Sequence, residues 1–335
     1  MSSVGAAKSR TVRMVGLALV LAPVAVGLDA ATARAAYSGR NGAIAFELYS
    51  DSHFSDVGAE SKSDVVMTYS KTIAACDDSS GSLSCRFGPP SYSPDGKTIV
   101  VSRLGGTSTG STMMLVGANG ADQRSLAPQT RDDEHPSFLP SGIALVFDGK
   151  TSTTPGVNLS TVSAGGAGLH QLTQTGGSSP APCANGAIAF VKRGDIYLLS
   201  RDQRSQRRLT FRGGSDPSCS PDSRQIAFVR RGDVYTIASN GKRVRRFTGR
   251  TTHRRGYSPP GSAYSPTFSP DGRQIAFLTS YDDPSANGSD NVLEFINLRK
   301  GRIRAGPVIG GSSCYSGDCS VSTSSGISWQ AHTSR

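Results

Sequence analysis

The sequence predicts an all-β fold, a six-bladed β-propeller of four-stranded antiparallel blades. Three observations carry this expectation. A proline-led strand element recurs five times, the chain is rich in Gly, Ser, Thr and Pro without a long 3.6-residue apolar period, and an orphan strand lies near each end.

The recurring element reads Pro90-Ser-Tyr-Ser-Pro-Asp-Gly-Lys-Thr-Ile-Val-Val, then Pro136-Ser-Phe-Leu-Pro-Ser-Gly-Ile-Ala-Leu-Val, then Pro180-Ala-Pro-Cys-Ala-Asn-Gly-Ala-Ile-Ala-Phe. It returns as Pro217-Ser-Cys-Ser-Pro-Asp-Ser-Arg-Gln-Ile-Ala-Phe and Pro266-Thr-Phe-Ser-Pro-Asp-Gly-Arg-Gln-Ile-Ala-Phe. Its centre is a tight hairpin: Pro presets φ, Asp or Asn accepts local backbone hydrogen bonds, and Gly relieves the exit. A third strand follows each hairpin, at 113–116, 157–162, 195–199, 233–237 and 292–296. A fourth, outer strand comes next, as in Arg207-Arg-Leu-Thr and Arg245-Arg-Phe-Thr. Four strands every roughly 40–50 residues is the spacing of propeller blades.

Two pieces remain. Asn41-Gly-Ala-Ile-Ala-Phe is a second strand without a first, and Ile327-Ser-Trp-Gln is a first strand without a second, with Trp329 where other copies carry Tyr92, Phe138 and Phe268. The expectation is that the C-terminal strand pairs into the N-terminal blade and closes a ring of six; an open or differently numbered array is the alternative.

The N-terminus reads as a secretory signal peptide over 1–35. Lys8, Arg10 and Arg13 precede the apolar run Met14 to Leu28, and Ala33 and Ala35 give cleavage-site spacing. A retained anchor is the alternative. Residues 36–335 are expected to form one propeller domain, secreted or extracytoplasmic in the periplasm or cell envelope, monomeric and without an integral membrane segment after cleavage. Loss of the leader lowers the formal charge from +11 to +8, which favours anionic partners.

Six cysteines in an oxidising compartment predict disulfides, with fifteen pairings open in principle. Locality suggests Cys76 with Cys85 and Cys314 with Cys319, leaving Cys183 with Cys219.

The Pro-Ser-(aromatic)-Ser-Pro-Asp-Gly-(x)₂-Ile-Ala-Phe element resembles the TolB-like, WD-related propeller repeats. The turns Asn119-Gly-Ala-Asp-Gln-Arg-Ser-Leu and Ala164-Gly-Gly-Ala-Gly-Leu-His-Gln-Leu-Thr are similar to that family's third-to-fourth-strand connection. The resemblance spans nearly all of the chain after the leader and implies an envelope-located propeller. TolB itself carries an α/β domain ahead of its blades, and here only a few residues separate the leader from the first strand, so the propeller is expected alone.

Propeller geometry puts second-to-third strand turns and blade-to-blade connections on one face. The long inserts 49–63, 104–111, 128–135, 248–265, 281–290 and 306–325 all fall there, which makes it the expected binding face. Unconstrained drift of these loops is the alternative. From Lys192 to Arg255 there are 17 Lys/Arg against 5 Asp/Glu, many of them ordinary outer-strand residues. His253, Arg254, Arg255 and Tyr257 sit on a long loop and suit an anionic glycan, a phosphate polymer or an acidic protein patch. Two acidic clusters share that face: Asp132, Asp133 and Glu134 with His135, and Asp282, Asp283 and Asp290. Either could offer oxygen ligands to Ca²⁺, though neither has the spacing of a calcium loop; no other cofactor is expected.

The function read from these features is a binding or scaffold module for an envelope or extracellular protein or an anionic glycan, and nucleic acid is disfavoured by secretion. The alternative is a propeller-type polysaccharide lyase or glycosidase with a channel-mouth site. Gly106-Thr-Ser-Thr-Gly110 matches the nucleophile-elbow string but lacks the strand-to-helix turn that gives it meaning. The histidines His53, His135, His170, His253 and His332 show no metal spacing, so no catalytic residue or metal ligand is assigned.

Overall fold

The proline-led hairpin is locked by its own side chains. Ser93 Oγ donates to Asp95 Oδ1 at 2.6 Å, the Lys97 amide donates to the same oxygen at 3.0 Å, and the Thr98 amide donates to Ser93 Oγ at 2.9 Å. Ser220 with Asp222 and Ser269 with Asp271 repeat the clamp. Gly96 completes its turn at φ 71°, where a Cβ would stand 2.3 Å from the Ala331 carbonyl. These bonds are all local, so the motif folds alike wherever it recurs.

The computed structural model describes residues 40–54, 59–68, 71–78, 85–105, 110–127, 130, 132–151, 154–249, 261–283, 288–315, 318–323 and 326–332. The chain divides into two units, Met1–Ala31 and Thr32–Arg335, and every described residue belongs to the second. Strands β1 (Arg40–Phe54), β2 (Ala59–Thr68) and β3 (Lys71–Asp78) come first. A sheet follows from β4 (Cys85–Phe87), β5 (Ser91–Tyr92), β6 (Thr98–Gly105), β7 (Ser111–Gly117) and β8 (Arg124–Ser125). The next contains β9 (Glu134–Phe138), β10 (Ala144–Gly149), β11 (Asn158–Ser163) and β12 (His170–Gln171). Then come β13 (Ser178–Pro182), β14 (Ile188–Lys192), β15 (Asp195–Leu199) and β16 (Gln206–Arg208). They are followed by β17 (Ser215–Cys219), β18 (Gln225–Arg230), β19 (Asp233–Ala238) and β20 (Arg245–Arg246). The last strands are β21 (Ser262–Phe268), β22 (Gln274–Asp283), β23 (Gly288–Asn297), β24 (Arg302–Tyr315), β25 (Asp318–Thr323) and β26 (Ile327–His332).

The chain is an all-β propeller of antiparallel blades, but it forms five sheets where the sequence predicts six. β21 to β25 and β1 to β3 join in one nine-stranded sheet, with β26 paired to β1. The cause is an elongation of segments expected to be loops. Residues 49–63, 281–290 and 306–325 are largely strand, in the β1–β2, β22–β23 and β24–β25 hairpins. β25 then pairs with β1 over 319–323 and 49–53, tying the last strands to the first. Ser- and Gly-rich sequence carries little β signal, so pairing rather than propensity sets these strands.

Alternation along each second strand sorts its side chains between neighbouring blades. Ile226 and Phe228 pack with Ala189, Ile196 and Leu209, whereas Ala227 joins Val234, Phe268, Ile275 and Phe277. Six such buried apolar clusters are present among the described residues. A strand buried on both faces explains why Ile-Ala-Phe reads as a continuous apolar run.

Third and fourth strands are stapled by a second repeated clamp. Asp195 Oδ1 accepts from Thr210 Oγ1 at 2.9 Å and from the Gly213 amide at 3.0 Å, while Oδ2 accepts from Arg208 at 2.5 Å. Asp233 uses Thr248 and Arg246 in the same way, and Asn158 uses Thr173 and the Gly176 amide. Although burial opposes it, the bonds from Thr210, Gly213 and Arg208 hold the Asp195 carboxyl below the usual range. Arg208 and Arg246 therefore belong to the blade framework.

Candidate functional site

Four inner strands, β9, β13, β17 and β21, carry a residue immediately before proline, and these four are strained alike. His135, Ser179, Asp216 and Ser265 have φ of 46°, 50°, 50° and 48°. A non-glycine residue held there costs of order 1 kcal/mol and persists only where its surroundings impose it. The imposition is a register break: pairing shifts between Ser178 and Ala181, between Ser215 and Ser218, between Tyr264 and Thr267, and opposite His135 between Val146 and Asp148. A bulge of this kind re-aims a side chain.

The re-aimed residues line one cavity of about 220 Å³. Its wall also takes Pro89 and Gly326 at the equivalent positions, so six proline-led or terminal segments contribute. One residue past each proline, small polar groups bridge neighbouring segments. Ser91 and Ser137 hydroxyls lie 3.1 Å apart, the Phe268 amide donates to Ser218 Oγ at 3.3 Å, and the Tyr92 amide donates to Ser328 Oγ at 3.1 Å. Where Ala181 lacks a hydroxyl, the Cys183–Cys219 disulfide makes the link, with Cα atoms 5.2 Å apart.

Two ionisable groups give this wall its charge. His135 Nδ1 lies 3.0 Å from Asp148 Oδ1, and the Asp148 carboxylate is buried. Burial works to lower the imidazole's pKa, but the hydrogen bond and charge of Asp148, with Glu134 and Asp216 from farther away, raise it above the ordinary histidine value. Asp216 accepts from Ser215 Oγ at 3.3 Å and from the Ser265 amide at 3.5 Å. Burial alone pushes the Tyr92 phenol well above its usual pKa. The cavity thus offers hydroxyl, imidazole and carboxylate groups to a polar ligand.

Of the residues singled out from sequence, His135 enters this cavity. Asp133 is fully buried and accepts from the Thr130 amide and hydroxyl at 2.8 and 2.6 Å, so it braces the approach to β9. Asp132 pairs with Lys150 at 2.9 Å, and Glu134 lies in β9 opposite Asp148. Asp290 sits in β23 opposite Tyr281, and the Asp282 and Asp283 backbones pair with Ser289 and Gly288. The side chains of Asp282 and Asp283, and all of His253, Arg254, Arg255 and Tyr257, lie outside the described residues, as do the 1–35 leader and most of the 106–110 string. So do the side chains of Cys76, Cys85, Cys314 and Cys319, although strand register sets Cys314 opposite Cys319. Among the described residues no three His, Cys, Asp or Glu side chains gather as a metal site, and no helix is long and apolar enough to cross a membrane. Sequence reasoning missed Asp216, Ser179, Ser265 and Asp148; for the first three the available signal was the position before the repeated proline, and Asp148 carried none.

No family model matches the sequence, and no curated protein does. Solved structures match. TolB from Acinetobacter baumannii is similar at TM-score 0.57 and 18% identity, over 85% of this chain and 66% of its own, so the chain spans just under two thirds of it. The TolB candidate from Agrobacterium tumefaciens gives TM-score 0.57 and 15% identity, over 83% of this chain and 98% of its own. A chain of the nidogen/laminin complex gives 0.51 and 10%, over 87% and 100%. At such identities the likeness is one of fold: this chain is similar to TolB-type structures in being a β-propeller of four-stranded antiparallel blades.

Proposed function

We propose that the protein is an extracytoplasmic binding module that takes a protein or an anionic glycan on the face where blades connect, at the mouth of its central cavity. The observation that carries this reading is the fourfold repetition of a strained residue before proline, which brings His135, Ser179, Asp216 and Ser265 to one wall. Strained backbone conformations of this kind cluster at functional sites. The reading includes a closed, sixfold ring in which the nine-stranded sheet stands for two blades; six cavity-lining segments and six buried clusters support it. Secretion is supported by the leader and by the disulfide.

The test uses Asp216→Asn and His135→Asn, since Asn tolerates the left-handed conformation. Ligands captured by the wild type from an envelope extract and from a glycan array should be lost by at least one variant. Capture unchanged in both would reject the cavity mouth as the site.

One observation favours a second reading. An imidazole on a cavity wall, oriented by a buried carboxylate, is the base-and-orienter half of an acid–base site, which suits a polysaccharide lyase or glycosidase. Turnover of acidic oligosaccharides that disappears in His135→Asn would establish it.

A further inference from the structure

A second surface carries strain of its own. β14 turns into β15, and β18 into β19, through the two-residue hairpins Arg193-Gly194 and Arg231-Gly232. All four residues have positive φ, at 52°, 75°, 52° and 74°. Turns of this geometry ordinarily take Asn-Gly or Gly-Gly, because a larger side chain is disfavoured there. Here arginine occupies both, exposed, and among the described residues neither side chain has a hydrogen-bond or ion-pair partner. Two adjacent blades thus meet a conformational cost to hold a guanidinium at the same face.

The surroundings of Arg231 extend the pattern. A depression of about 590 Å³ is walled by Arg212, Arg230, Arg231 and Tyr235. Another, of about 360 Å³, shares Arg231 and Tyr235 and adds Arg246 and Asp233. Asp233 is the one carboxylate on these walls among the described residues, and Arg246 already pairs with it at 2.6 Å. Arg230 is pinned by its Nε–H to the Gly213 carbonyl at 2.9 Å and lies over the rings of Phe228 and Tyr235. With Arg246 matched by Asp233, the remaining charge of Arg212, Arg230 and Arg231 is positive and partly fixed in place.

Beside Arg212 stands Phe211, 71% exposed. It is not loose: Arg208 covers its ring at 4.7 Å and is itself held by Asp195 and the Thr210 carbonyl. An aromatic face fixed in solvent next to guanidinium groups suits a ring with apolar C–H faces and a pendant anion.

We infer that this surface binds an acidic polysaccharide, its arginines taking the carboxylates and Phe211 the face of a sugar. The inference rests on the binding-module reading and names a ligand class and a place for it. Inorganic polyanions would satisfy the arginines alone, so the aromatic contact separates the two.

Affinity electrophoresis of the full chain through gels holding alginate, neutral dextran or polyphosphate tests it. Wild type should be retarded by alginate and not by dextran. Arg212→Gln/Arg231→Asn should bind alginate roughly tenfold more weakly. Phe211→Ala should weaken alginate binding and leave polyphosphate binding unchanged. The control Arg204→Gln/Arg243→Asn, on turns at the opposite ends of the blades, should match wild type. No retardation by alginate, or equal loss in the control, overturns the site; an unaffected Phe211→Ala overturns the sugar contact. Asp216→Asn separates the two readings. Loss of alginate binding in that variant alone would reject the basic surface and keep the cavity mouth, whereas retention there with loss in the arginine variant supports the inference.

Discussion

Removal of the Cys183–Cys219 bond should destabilise the propeller by about 4 kcal/mol. The two cysteines are 36 residues apart in sequence, and closing a loop of that length removes this much chain entropy from the unfolded state. Position sharpens the expectation. Cys183 occupies the place of the turn-clamping Ser93, Ser220 and Ser269, and Cys219 the place of Tyr92, Phe138 and Phe268. One bond therefore stands in for a turn clamp in one blade and an aromatic plug in the next. For a chain of this size the loss corresponds to a fall in Tm of roughly 6 °C, read by thermal unfolding under non-reducing conditions. Cys183→Ala, Cys219→Ala and the double variant form a cycle in which the second substitution should add little to the first. Additive single effects, or a double variant melting within about 2 °C of wild type, would refute the argument. So would peptide mapping that pairs either cysteine elsewhere.

Other expectations follow from particular contacts. Phe228→Ala empties a fully buried site shared by two blades and should cost about 3–5 kcal/mol in denaturant unfolding. Gly214→Ala would set a Cβ 2.8 Å from Ile196 and 3.1 Å from Phe228, an overpacking worth about 1–3 kcal/mol in the same assay. The raised pKa of His135 implies stability that is complete below the unfolded value near 6.5 and lost as pH rises through the folded value. The Tm difference between wild type and His135→Asn should therefore be larger at about pH 5.5 than at about pH 8.5; the opposite trend would contradict the Asp148 contact. Deleting residues 326–335 removes β26 with the Trp329 bond to the Gly42 carbonyl and the Gln330 bond to the Gly96 carbonyl, and should lower the melting midpoint of the whole fold. An unchanged midpoint would mean that β26 is dispensable.

What the sequence displayed of this fold is what short-range bonds enforce. Ser-Pro-Asp-Gly is legible because Asp95 bonds residues within its own turn, and Ile-Ala-Phe because burial on both faces demands an unbroken apolar run. The Asp195–Thr210–Arg208 clamp was visible only as separate strands, since its members are 13 and 15 residues apart. Strand extension through 49–63 and 306–325 was hidden because Ser, Gly and Asp carry little β signal, and hairpin partners together with the β1–β25 pairing hold them as strand. The cavity ring was hidden for another reason. Nothing in Asp216 or Ser265 announces a left-handed backbone; the bulge follows from strand register, which no local residue sets. Of the acidic run, His135 alone faced the cavity, because the bulge falls on it and not on its neighbours.

The pairing of β1 with β26 also fixes an order of events in time. Ala45 and Ser328 are partners, and Trp329 and Gly42 are bonded across 287 positions. β1 must wait for β26, 287 positions on at the Gly42–Trp329 bond, before that edge is covered. Each middle blade can close on itself as it emerges, so assembly should advance blade by blade, with the β1 edge left exposed until β26 is made. The hazard of self-association is thereby concentrated at a single strand, and the slowest step of folding should be the sealing of that strand by the chain's own tail.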